Sequence, residues 1–156
     1  MKTNYFAPFA VAGLLLAGSA VAQDTEKKIK RSDLPSAVEK TVAEQSKGAT
    51  IKGFGTEKEG GKTMYEVSLT VNGHSKDITM TEDGAVAEVE EQVNLDSLPA
   101  DVKAGLQAKA GAGKITKVES LTKKDKLVAY EAQVNTNGKK SEVQVGPDGK
   151  PLDHEE

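Results

Sequence analysis

Apolar residues along the chain follow two periods, and the pair of periods occurs twice. Leu34, Val38 and Val42 recur at i, i+4 and i+8, one stripe of a helix expected over 35–47. Pro35 suits the first helical turn, where its missing N–H costs nothing, and Gly48 supplies the stop. Asp33 or Ser36 could cap this helix, Ser36 with Glu39 having capping-box spacing. From residue 63 to 71 the period drops to two. Tyr65, Val67, Leu69 and Val71 point one way, and Glu66, Ser68 and Thr70 the other, the pattern of a strand with one buried and one wet face. Around it lie strands expected at 49–56, 76–81 and 85–90, turned by Gly60-Gly61, Asn72-Gly73 and Asp83-Gly84. Asn-Gly is a two-residue hairpin turn because both residues accept positive φ.

The second half repeats this order. Leu98, Val102 and Leu106 restate the helical stripe, with Pro99 opening it, Gly111 ending it and Gly105 weakening its middle. Strands are expected at 114–121, 127–135 and 140–145, with a short last strand near Leu152 whose Pro151 suits a sheet edge. Leu34-Pro35 recurs as Leu98-Pro99 at an offset of 64, whereas Tyr65-Glu66, Asn72-Gly73 and Asp83-Gly84 recur at 65, so one residue is inserted in between. The expected fold class is α+β: two tandem repeats, 33–92 and 93–156, each one helix packed on a four-stranded antiparallel sheet whose far face is polar and open to water.

The N-terminal residues read as an export signal. Lys2 gives the positive start, Phe9 to Ala17 the apolar run, and Ala20-Val21-Ala22 the small-x-small site, placing cleavage before Gln23. The run is short for a membrane span, which takes about 20 apolar residues; an uncleaved anchor is the alternative. Residues 23–32 are charged and aperiodic and read as a flexible arm. The chain has no cysteine, which excludes a disulfide framework, thiol catalysis and thiolate metal sites. Lys and Arg number 21 against 24 Asp and Glu, an ordinary balance that argues against nucleic acid as the main partner. Past the leader only Phe54, Tyr65 and Tyr130 are aromatic, so each half alone should be marginal.

Candidate chemistry is sparse. His74 and His154 have no second histidine at metal-ligand spacing and read as exposed polar groups. No Gly-x-Ser-x-Gly elbow occurs. Gly111-Ala112-Gly113-Lys114 lacks the remaining phosphate-loop positions and follows a helix, so it reads as a helix stop; Gly53-Phe54-Gly55 is no closer to a nucleotide motif. Tyr65 and Tyr130 hold equivalent places, as core rings or as a paired aromatic ligand surface. Charge is uneven: Glu82, Asp83, Glu88, Glu90 and Glu91 cluster without a base, whereas residues 103–126 are rich in lysine. These are solvated faces or a charge-guided partner site, with the loop Thr122 to Lys126 as the candidate protruding contact.

The motifs Leu34-Pro35-Ser36-Ala37-Val38 with Tyr65-Glu66-Val67-Ser68-Leu69, and Leu98-Pro99-Ala100-Asp101-Val102 with Tyr130-Glu131-Ala132-Gln133-Val134, resemble the PepSY-like domains of exported bacterial proteins, a family also described as β-lactamase-inhibitor-like in fold. The resemblance implies a tandem pair of such domains and a non-catalytic role. Related domains bind or inhibit proteins, including peptidases and β-lactamases, and no catalytic residue carries over. The expectation is a periplasmic or secreted, non-enzymatic binding protein with a protein or peptide partner, possessing no cofactor or metal site and no membrane span after cleavage. A peptidase or β-lactamase inhibitor is its narrower form. The alternative is a cation- or small-molecule-binding envelope protein using carboxylates of Glu88 to Glu91 or Asp153 to Glu156.

Overall fold

The computed structural model describes residues 27–154 and 156. The signal peptide, its cleavage site and the first part of the arm lie outside the described residues. Helix α1 spans Ser36–Gln45 and α2 spans Ala100–Ala110. The strands are β1 Lys27–Ile29, β2 Thr50–Glu59, β3 Lys62–Val71, β4 His74–Thr81, β5 Val86–Gln92, β6 Lys114–Lys123, β7 Lys126–Thr136 and β8 Lys139–Val145. Short 3-10 turns, Arg31–Asp33 and Leu95–Ser97, lead into the two helices.

The strands form one eight-stranded antiparallel meander in the order β1 to β8. This corrects the expected architecture: the protein is mainly β, with two helices on one continuous sheet, and not two helix-on-four-strand units. The cause is the pairing of β5 with β6, from Glu88 opposite Lys123 to Gln92 opposite Glu119. The last strand of one unit and the first of the next would each leave a row of N–H and C=O groups unpaired, and joining the edges satisfies both. The remaining differences lie at the ends. Residues 27–29, expected within the arm, pair with β2 as an extra edge strand. Among the described residues the stretch around Leu152 forms no strand, and the second unit contributes three; Pro151 cannot donate to a ladder.

Within each unit the expected elements are present. The stripe of α1 places Val38 and Val42 on Val67, Leu69, Ile78 and Met80. That of α2 places Val102 and Leu106 on Val118, Ala132 and Val145. Tyr65 and Tyr130 pack at the margins of these two cores, which favours the core-ring reading. Registers repeat at the sequence offset: Val67 faces Ile78 as Ala132 faces Val143, and Tyr65 faces Met80 as Tyr130 faces Val145. The inserted residue also has a place. Leu121 pairs with Ala129 and Thr122 with Leu127, so Val128 is bulged out of the β6–β7 ladder, while the β2–β3 hairpin needs no bulge there.

Neither proposed residue caps α1. Pro35 holds the N-cap position, and Asp33 instead accepts the Lys30 N–H at 3.0 Å. Gly105 has a packing reason. Each Asp-Gly turn tucks under the first turns of its helix: a Cβ on Gly84 would meet the Ala37 carbonyl, and one on Gly149 that of Asp101. In the first unit the Thr41 hydroxyl donates to Gly84 O at 2.7 Å. At the matching place Gly105 brings bare backbone against Gly149 O. The glycine that weakens α2 intrinsically is what lets it seat on its turn.

A continuous sheet predicts one cooperative unfolding transition, not two. Ile78→Ala, which empties a fully buried site in the first core, should lower that single transition by about 2–5 kcal/mol. Chemical denaturation followed by circular dichroism checks both outcomes.

Candidate functional site

Both helices lie on the same face, since paired residues share a face and Val89 of the first core stands opposite Thr122, in step with Ser120 and Val118 of the second. The other face carries Glu66, Ser68, Asp77, Thr79, Glu88, Glu90 and Gln92 from the first unit. From the second it carries Lys117, Glu119, Leu121, Lys123, Glu131 and Gln144. This face was expected to be open to water. Its centre is instead recessed: Met64, Thr79, Glu119, Leu121, Ala129 and Gln144 are all buried, Glu119 being 3% exposed. Long polar side chains on adjacent strands cover one another and the small apolar groups between them.

At the seam, β4, β5 and β6 bring three carboxylates together. Oxygens of Asp77, Glu90 and Glu119 lie within 4.8 Å of one another. Asp77 stands directly opposite Glu90, and Glu119 opposite Gln92, one pair further along. Lys117 Nζ sits 2.6 Å from Glu119 Oε1 and neutralises that charge from within. The Ser75 hydroxyl is 3.4 Å from the same oxygen, and the Ser75 N–H donates to Gln92 Oε1 at 3.1 Å. Burial pushes the Glu90 carboxyl up to about 9, with the charges of Glu119, Glu88 and Glu131 adding to the effect. Burial also raises Asp77, against the Ser68 hydrogen bond and the charge of Lys117. The seam can therefore hold a proton at neutral pH, or a cation that replaces it. At the offset of 64, Lys117 and Glu119 correspond to Gly53 and Gly55, so this charged pair belongs to the seam and not to the repeat.

Ion pairs and hydrogen bonds continue across the face. Lys123 approaches Glu88 at 3.3 Å and Glu156 at 3.7 Å. Gln144 Nε2 donates to Glu131 at 2.8 Å, and the Glu156 N–H donates to Gln144 Oε1 at 3.0 Å.

The residues singled out from sequence disperse. Alternation splits Glu88 to Glu91: Glu88 and Glu90 face the recess, while Glu91 turns to the helix side and pairs with Lys76 at 3.1 Å. Of the C-terminal group, Asp153 and His154 are exposed, Glu155 lies outside the described residues, and Glu156 reaches 3.8 Å from His154. His74 lines a cleft of about 270 Å³ at the seam, with Gln92 to Leu95 and Ile115 to Val118. Gly111, at φ +57°, ends α2 as expected. In the loop 122–126, Lys124 and Asp125 take positive φ at the hairpin tip, and Lys123 points back to Glu88. Sequence reasoning missed Asp77, Lys117 and Glu119. Their alternation with Ile78 and Val118 puts each on the far face, but only the β5–β6 register brings them together.

No family model matches the chain, and no curated protein matches it. Solved structures do. A protein from Bacteroides eggerthii DSM 20697 ascribed to the periplasm superposes with a TM-score of 0.63 at 18% identity, over 76% of this chain and 86% of its own. A DUF2874 family protein from Bacteroides ovatus ATCC 8483 gives 0.60 at 17%, over 76% and 84%. A BLIP-like protein from Bacteroides fragilis NCTC 9343 gives 0.56 at 19%, over 76% and 83%. At these identities the likeness is one of fold. It supports the β-lactamase-inhibitor-like side of the sequence resemblance and provides no match to PepSY domains. The location ascribed to the first of these agrees with the export read from residues 1–22, and no described helix is long and apolar enough to cross a membrane.

Glu90 is a test of the recess. Between about pH 4.5 and 9 the native state keeps a proton that the unfolded chain releases, so stability falls as pH rises through that window. Glu90→Gln keeps the hydrogen-bonding shape without the titration. Thermal melts across the window should show a steeper decline for the parent chain than for the variant, with the variant more stable at the alkaline end.

Proposed function

We propose that the protein is an exported, non-catalytic binding protein of the bacterial periplasm that engages a protein or peptide through the helix-free face of its sheet. The one-sided layering carries this reading: both helices cover one face, and among the described residues the other displays a charged network that no helix or strand covers and that the tail touches through Glu156. The BLIP-like fold neighbour adds weight, since that description likens it to an inhibitor that works by binding. With Glu90 protonated and Glu119 neutralised by Lys117, the face still carries Glu66, Glu88 and Glu131 against Lys123 and favours a partner presenting basic groups. Inhibition of a peptidase or β-lactamase is the narrower form of the same reading.

The test is capture from periplasmic extract by the full chain and by two variants. Glu88→Lys with Glu131→Lys should reduce retention of a specific partner about tenfold, whereas Lys40→Glu on the exposed side of α1 should leave it unchanged. Equal capture by all three chains would overturn the face as the binding surface. Mixing with a panel of peptidases and β-lactamases reads the inhibitor form directly.

The convergence of Asp77, Glu90 and Glu119 favours a second reading, a divalent cation held at the seam. Such a cation would have to displace the Glu90 proton and loosen Lys117 from Glu119. Binding to the native state alone raises stability, by about 2.7 kcal/mol at a hundredfold excess over Kd. Melting temperatures with calcium, zinc or copper, compared between the parent chain and Glu119→Gln, should rise only for the parent; a melt unmoved by any of the three removes this reading.

A further inference from the structure

The duplication places an Asn-Gly and an Asp-Gly pair in each unit: Asn72-Gly73 and Asp83-Gly84 in the first, Asn137-Gly138 and Asp148-Gly149 in the second. Such a pair carries a reaction of its own. The glycine nitrogen can attack the carbonyl carbon of the preceding side chain, and glycine has no Cβ to hinder the approach. The four pairs differ in what holds that nitrogen. Gly84 N–H donates to Thr81 O at 2.8 Å, and Gly149 N–H to Gly146 O at 2.8 Å. Gly138 N–H donates to Asn135 Oδ1 at 2.8 Å. Among the described residues, Gly73 N–H has no acceptor.

The two Asn-Gly turns are otherwise matched. Asn72 and Asn137 have φ of 51° and 54°, and Gly73 and Gly138 have φ of 87° and 86°. Val71 pairs with His74 as Thr136 pairs with Lys139, and all four turn residues are exposed. Backbone geometry and access to water are therefore equal, and the hold on the nucleophile is not. One residue makes the difference. Asn135 reaches forward to Gly138, whereas its counterpart at the offset of 65 is Thr70, whose hydroxyl stands one bond nearer the backbone. A hydrogen bond on the glycine N–H keeps it from the side chain it must attack, and has to break first.

We propose that Asn72 is a site of spontaneous modification in the folded protein, converting through a cyclic imide to aspartate and β-linked aspartate, while Asn137 is protected. The Gly73 nitrogen bonds to Asn72 Cγ, the Cγ–Nδ2 bond breaks, and the proton of the attacking N–H leaves with Nδ2 as ammonia. One water then opens the imide at either carbonyl. Nothing is oxidised or reduced, and water is the only co-reactant. Opening at the main-chain carbonyl leaves an extra methylene in the backbone of a turn built for two residues. Beside that turn stand His74, which lines the seam cleft, and Ser75, whose N–H is taken by Gln92 Oε1. The modification thus adds a carboxylate and shifts the start of β4 where the two units meet. It is independent of the binding face described above.

The test is incubation of the full chain at mildly alkaline pH, with the deamidated fraction at each asparagine followed by mass spectrometry of its peptides. In the folded chain Asn72 should convert about tenfold faster than Asn137. The same incubation in denaturant measures what neighbouring residues contribute, His74 and Lys139 included, and there the ratio should collapse. Asn135→Thr should raise the Asn137 rate toward that of Asn72 and leave Asn72 unchanged. Thr70→Asn should slow Asn72. Circular dichroism reports whether each variant is folded, and the folded-to-denatured comparison of the parent chain stands without them. A folded ratio equal to the denatured one, a faster Asn137, or no product at Asn72 while the denatured chain converts would overturn the proposal. So would a folded Asn135→Thr chain in which Asn137 stays slow.

Discussion

The pairing of β5 with β6 is the contact on which the rest of the structure depends. It joins two units that would each expose an unpaired strand edge, and it fixes their relation by main-chain hydrogen bonds. Because paired residues share a face, it also sets α1 and α2 on the same side of the sheet. Each helix-covered core is small and nearly free of aromatic rings. One continuous sheet lets neither stand alone, which suits cores that would be marginal separately.

The same pairing concentrates charge. Alternation within each unit sends Asp77, Glu90 and Glu119 to the face away from the helices, but only the seam places them within 4.8 Å of one another. Taking carboxylates out of water is costly unless they are paired or protonated. The protein does both, with Lys117 against Glu119 and a proton held by Glu90. Helix packing explains none of these side chains, and the glycines at the first-unit positions matching Lys117 and Glu119 show that the fold can be built without that pair. Perturbed titratable groups of this kind mark functional candidates, and this cluster is the strongest on the face.

Several sequence readings carried through to the structure because they rest on local rules. The stripes at Leu34, Val38, Val42 and at Leu98, Val102, Leu106 gave two helices. The period-two runs through Val67 and Ala132 gave strands facing those helices, and the Asn-Gly and Asp-Gly pairs gave turns. Even the change of offset from 64 to 65 has a physical counterpart in the bulged Val128. The readings that failed depend on what lies alongside. The stretch 27–29 lacks periodicity, yet becomes a strand because β2 offers it an edge. The stretch near Leu152 looks like a strand by its repeat position, yet among the described residues it forms none, and Pro151 cannot donate to a ladder.

By itself the sequence determined the repeating unit: which residues turn inward, where the chain reverses, and that one residue is extra. Those are consequences of side-chain period and backbone freedom, and both act within a few residues. Tertiary structure alone decided that the units share a sheet, that the centre of the polar face is recessed, and which carboxylates meet. Hydrogen bonds between strand edges are the same for every sequence, so the chain's letters do not announce which edges will join. The charges brought together by that joining are legible only once the register is known.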